Sequence, residues 1–154
     1  MNHRSGSWAV LVGGSIAGTL DILFAISFAG YSGVAPTRLL QTVASGLLGK
    51  AAFSGGIPTA ALGLVLHFGM SYLWAGIFLL AARRLPRLRH QPVASGILFG
   101  VAVFFTMRLV VLPLSAFPYP VSFKALATAL DLLSHTFLFG VPIALAARRA
   151  WALR

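Results

Sequence analysis

Asp21 and Asp131 are the only acidic residues in this 154-residue chain, and both fall in runs otherwise apolar enough to sit in lipid. His67, Arg108 and His135 fall in similar runs. An ionisable side chain inside a membrane helix costs at least about 2.5 kcal/mol, so such groups face other helices and find partners. Asp131 and His135 are four residues apart, which on a helix sets them about 40° apart on one face, within hydrogen-bonding reach. Two carboxylates and one guanidinium leave one negative charge, which a single proton on His67 or His135 would cancel. A carboxylate neighbour favours the charged imidazole and burial disfavours it, and the balance of the two can fall in the physiological range. The chemistry expected of Asp21, His67, Arg108, Asp131 and His135 is therefore proton binding, as a relay, a coupling site or a pH sensor. The competing expectation is a polar knot that fixes helix packing.

Other chemistries fit these residues less well. His67 and His135 would suit the axial positions of a b-type haem, or part of a divalent-metal site. Arg108 in the same layer repels a cation, and no HExxH or ExxH spacing occurs, so no cofactor is the first expectation. Ser71 and Ser134 have no GxSx context, and enzyme activity is not expected. There is no cysteine, which excludes disulfides, iron–sulfur clusters and thiol catalysis.

The elements that must position these residues follow from composition. With 58% hydrophobic and 9% charged residues and a mean hydropathy of +0.91, the chain reads as an all-α integral membrane protein in a single domain. Four segments, at 8–31, 59–82, 92–113 and 125–147, are long enough to cross about 30 Å of hydrocarbon. The first is too long for a signal-peptide core and holds Asp21, so it is read as a span. Between the first two spans, 36–52 is expected to form an amphipathic helix on the outer surface of the bilayer or capping the bundle. Leu39, Leu40, Val43, Leu47 and Ala51 lie on one side of it, and Arg38, Gln41, Thr42, Ser45 and Lys50 largely on the other. The loop 114–124 is proline-rich and aromatic, which suits a semi-rigid interfacial segment.

The net charge of +10 is explained by position. Arg4, the turn with Arg83, Arg84, Arg87 and Arg89, and the C-terminal Arg148, Arg149 and Arg154 fall on one side of the membrane. The other side carries only Arg38, Lys50 and Lys124. The positive-inside rule then places both termini in the cytoplasm of a bacterial inner membrane, with the lipid bilayer as partner and no nucleic acid. Counting 1.5 Å per residue from that side puts all five polar residues about 18–24 Å up, in one layer. Gly14 with Gly18 and Gly96 with Gly100 form GxxxG pairs suited to close helix contact, within the chain or in a homo-oligomer.

Several short runs together resemble one family. They are Leu66-His67-Phe-Gly-Met-Ser71, the basic turn around Pro86, Gly96-xxx-Gly100, Arg108-x4-Pro113-Leu114, Asp131-xx-Ser134-His135 and Arg148-Arg149, with Ile16-Ala17-Gly18 in the first span. Over about 60–150 the chain resembles the YagU-like family of bacterial inner-membrane proteins. The resemblance implies a role in acid resistance, which suits histidines embedded in the membrane. It also implies histidine where Arg108 stands and glutamate where Asp131 stands. A permanent cation at position 108 cannot release a proton, so Arg108 is read as the counter-ion of Asp21 or Asp131.

Overall fold

The computed structural model describes residues 3–152. Arg154 and the side chain of Arg4, which enter the charge count above, lie outside the described residues. The described chain is helical, with no strand, in the order α1 (His3–Tyr31), α2 (Pro36–Leu48), α3 (Gly56–Arg84), α4 (Arg87–His90), α5 (Pro92–Leu114) and α6 (Ala125–Ala152). A single 3₁₀ segment, Gly49–Phe53, follows α2. Four of these helices, α1, α3, α5 and α6, are long and apolar enough to span a membrane. They outrun the expected segments by a turn or less at most ends, because arginines such as Arg83 and Arg84 continue the helix past the apolar stretch.

Small residues decide how the helices meet. A Cβ on Gly14 or Gly18 of α1 would strike Tyr72 or Phe68 of α3, and one on Gly13 would strike Ala146 of α6. Gly96 and Gly100 of α5 meet Val141, Thr136 and Gly140 of α6 at backbone distance. The α3–α5 side is closed by rings, with Phe99 5.0 Å from Phe78 and 6.1 Å from Trp74. The order around the bundle is thus α1, α3, α5, α6, each antiparallel to the next. The core is correspondingly rich in alanine, including Ala9, Ala17, Ala75, Ala82, Ala144, Ala147 and Ala150, while leucines such as Leu11, Leu73 and Leu98 face outward. That distribution suits lipid, where burying a leucine gains nothing and close backbone approach gains dispersion contacts. Both expected GxxxG pairs are spent inside the chain, so they no longer argue for an oligomer.

Helix α2 is turned the other way from a soluble amphipathic helix. Its buried residues are Gln41, Ala44 and Ser45, and Leu47 and Leu48 are exposed. It lies against α3 at Gly63, where a Cβ would fall on the Leu40 carbonyl oxygen. The Gln41 amide donates to Gly56 O at 3.0 Å, which supplies a partner for a carbonyl at the start of α3. Gln41 faces inward because its amide has an acceptor there, while Ser45 bonds back to Thr42 O of its own helix and Arg38 and Lys50 stay exposed. The 115–124 loop packs on the same helix, with Ala116 N–H donating to Gly46 O at 2.9 Å and Tyr119 5.8 Å from Phe53.

Candidate functional site

Two helices of the bundle widen into π turns, and both widenings carry the polar residues. In α5 the π turn is Met107–Val111 and contains Arg108; in α6 it is Ser134–Gly140 and contains His135. Each stands just before a proline, Pro113 and Pro142, whose fourth preceding residues, Leu109 and Leu138, lie inside the π segments. Proline has no N–H for that carbonyl and its ring collides with it, and a wider turn relieves the collision. π turns re-aim the side chains they carry and recur at functional sites. The signal was present in the sequence as a proline near the end of each span.

Four of the five expected residues come together in the half of the bundle nearer α2. Arg108 donates to Asp131 Oδ2 through Nε at 3.2 Å and Nη2 at 2.8 Å, and through Nη1 to Ser122 O of the 115–124 loop at 2.6 Å. Its guanidinium also lies 5.2 Å from the Phe104 ring centre and 5.4 Å from that of Phe123. His135 Nδ1 is 3.0 Å from Asp131 O, 3.1 Å from Asp131 Oδ1 and 3.9 Å from Asp21 Oδ1. All three of those atoms accept only, so Nδ1 carries the hydrogen. Asp21 is held from the other side by Ser134, whose hydroxyl donates to Oδ1 at 2.6 Å. Arg108 is therefore the counter-ion of Asp131, and among the described residues no Lys or Arg lies within ion-pair distance of Asp21. Ser134 and the Ser122 carbonyl were not among the expected site residues.

His67 stands apart. Its Nε2–H donates to Gly18 O at 2.8 Å, and four residues on, Ser71 Oγ donates to Gly14 O at 2.6 Å. The two donors on α3 match the GxxxG pair on α1 at the same spacing, and His67 comes within ion-pair distance of neither aspartate. It joins α1 to α3 about one turn from Asp21. His67 and His135 also sit on α3 and α6, the diagonal pair of the bundle. Among the described residues no group of three or more His, Asp or Glu side chains is placed to hold a metal ion.

The ion pair and His135 line a cavity of about 310 Å³, walled otherwise by Phe104, Met107 and Leu112 of α5 and by Phe117, Pro120, Val121 and Ser122 of the loop. The side chain of Asp131 is 36% exposed, against 13% for Asp21 and 18% for His135. Arg108, Asp131 and His135 give the cavity a polar side, and it is roomy enough for several water molecules beside the ion pair. No protein-family model, curated protein or solved structure matches this chain.

Proposed function

We propose that this chain is a polytopic membrane protein whose Asp21, Arg108, Asp131 and His135 form a one-proton site, with His135 as the group that takes the proton. One observation carries the reading: His135 Nδ1 meets two carboxylates, while the cluster's permanent cation, Arg108, is committed to one of them. With His135 neutral the cluster holds one net negative charge, and with His135 protonated it holds none. A site of low dielectric favours the neutral total. The cavity beside Asp131 supplies the path, and the π turns set the aim of both Arg108 and His135. A site of this kind responds to acidification on the side it opens to, in keeping with the acid-resistance role that the family resemblance implies. The charge asymmetry of the two ends favours a bacterial inner membrane with both termini in the cytoplasm, which makes the sensed side the outer one.

Proton uptake by the purified chain in lipid nanodiscs, followed with a pH indicator from about pH 8 to pH 5, tests the assignment. His135→Gln is expected to take up about one proton fewer per chain than the parent. His67→Gln should lose its α1 contact without changing the coupling to Asp21 and Asp131. Equal uptake by His135→Gln and the parent would remove His135 from the role.

A further inference from the structure

The end of the bundle that carries both termini holds a surplus of charge that no side chain of the protein can neutralise. Arg83, Arg84, Arg87, Arg89, Arg148 and Arg149 lie there, and the only two carboxylate side chains, Asp21 and Asp131, are both in the cluster toward the other end. No acidic side chain stands at that end to neutralise these arginines, and two of them border a formed groove.

Between α1 and α6 a cleft of about 770 Å³ is lined by Trp8, Val12 and Ile16 on one wall and Leu145, Arg148 and Arg149 on the other. Trp8, Val12 and Ile16 follow one another at four-residue spacing, so the cleft runs along α1 for about 12 Å. Arg148 and Ala152 also border a second cavity, of about 380 Å³, whose other walls are Arg89, His90 and Trp151. There the Arg89 guanidinium lies 5.2 Å from the Trp151 ring centre. An apolar channel about half a leaflet long that ends in three arginines between two tryptophans has the chemistry of an acyl chain joined to an anionic headgroup. Free phosphate would answer the arginines but would not account for the groove along Ile16, 47% exposed, and Leu145, 44% exposed, which an acyl chain fills.

We propose that this groove binds an anionic phospholipid, with one acyl chain along Val12, Ile16 and Leu145 and its phosphate at Arg148, Arg149 and Arg89. The proposal is independent of the proton site. It places a bound lipid against α6, the helix that carries His135, at the opposite end from the cavity.

The test uses the full chain in phosphatidylcholine bilayers carrying Trp74→Phe, which leaves Trp8 and Trp151 as the only tryptophans. Trp74 borders neither cavity and its buried indole N–H has no partner, so phenylalanine is a mild change there. Fluorescence quenching by dibrominated phosphatidylglycerol is compared with quenching by dibrominated phosphatidylcholine. The anionic lipid is expected to bind about tenfold more strongly, and Arg148→Gln/Arg149→Gln to bring the ratio down to about one or two. Arg84→Gln/Arg87→Gln removes the same charge from the same end outside the groove and is expected to keep most of the preference. Three results overturn the proposal: no preference in the parent, an equal loss in both double variants, or displacement of the lipid by millimolar glycerol phosphate, which would mark a site for free phosphate.

Discussion

Arg108 makes three hydrogen bonds, two to Asp131 and one to the Ser122 carbonyl, and its removal or that of its partner should be felt differently. Asp131→Asn leaves a guanidinium in a partly enclosed site with its strongest acceptor gone, and is expected to cost about 1–3 kcal/mol in thermal unfolding in detergent. Asp131→Asn combined with Arg108→Gln should cost less than the two single changes added together, which a double-mutant cycle measures. Ser134→Ala should cost about 1 kcal/mol by removing the hydroxyl that holds Asp21. At this scale the sequence was informative where residues were scarce. Two aspartates in spans mark a site, and four-residue spacing pairs Asp131 with His135. It failed where depth counting was too coarse: His67 and Asp21 differ by about one turn, and that turn decides whether His67 meets a carboxylate or the Gly18 carbonyl. Ser134 was weighed only as a nucleophile, since it lies about 100° around the helix from His135.

The elements show why the cluster is held so closely. α5 and α6 touch backbone to backbone at Gly96, Gly100 and Gly140, and a Cβ on Gly100 would fall on the carbonyl oxygen of His135 itself. Gly100→Ala is therefore expected to destabilise the protein by about 1–3 kcal/mol and to disturb proton uptake. Gly69→Ala, where a Cβ meets nothing within 4 Å, should be neutral or stabilising by up to about 1 kcal/mol in the same assay. The four spanning helices were legible from hydropathy alone, and their ends ran on because helix propensity does not stop where apolarity does. The facing of α2 was not legible. An amphipathic pattern gives two sides, and in lipid the apolar one is free to point away from the protein. The π turns at Arg108 and His135 have a sequence cause in Pro113 and Pro142, but a proline near a span's end also suits a simple exit from the helix.

For the whole molecule, four antiparallel helices with both termini at one end follow from span count and short connections. Their order around the bundle does not, because it depends on which small faces pair. Once α1 lies between α3 and α6, Asp21 reaches Ser134 and His135 while His67 is left on the diagonal. The orientation rests on charge asymmetry alone and is open to a direct check, since the chain has no cysteine of its own. With single cysteines at Lys50 and Arg87, a membrane-impermeant maleimide applied to intact cells is expected to label Lys50→Cys and to spare Arg87→Cys until the cells are broken. The reverse pattern would turn the cavity toward the cytoplasm.

¹⁵N NMR of histidine-labelled protein in bilayers across about pH 8 to pH 5 reads the proton on His135 directly. When neutral, His135 is expected as the Nδ1–H tautomer and His67 as the Nε2–H tautomer, as their acceptors dictate. His135 is expected to gain its second proton in step with the one-proton uptake of the chain, with a midpoint that moves on Asp21→Asn. A His135 that remains in one state throughout, or whose titration ignores Asp21→Asn, would contradict the one-proton site.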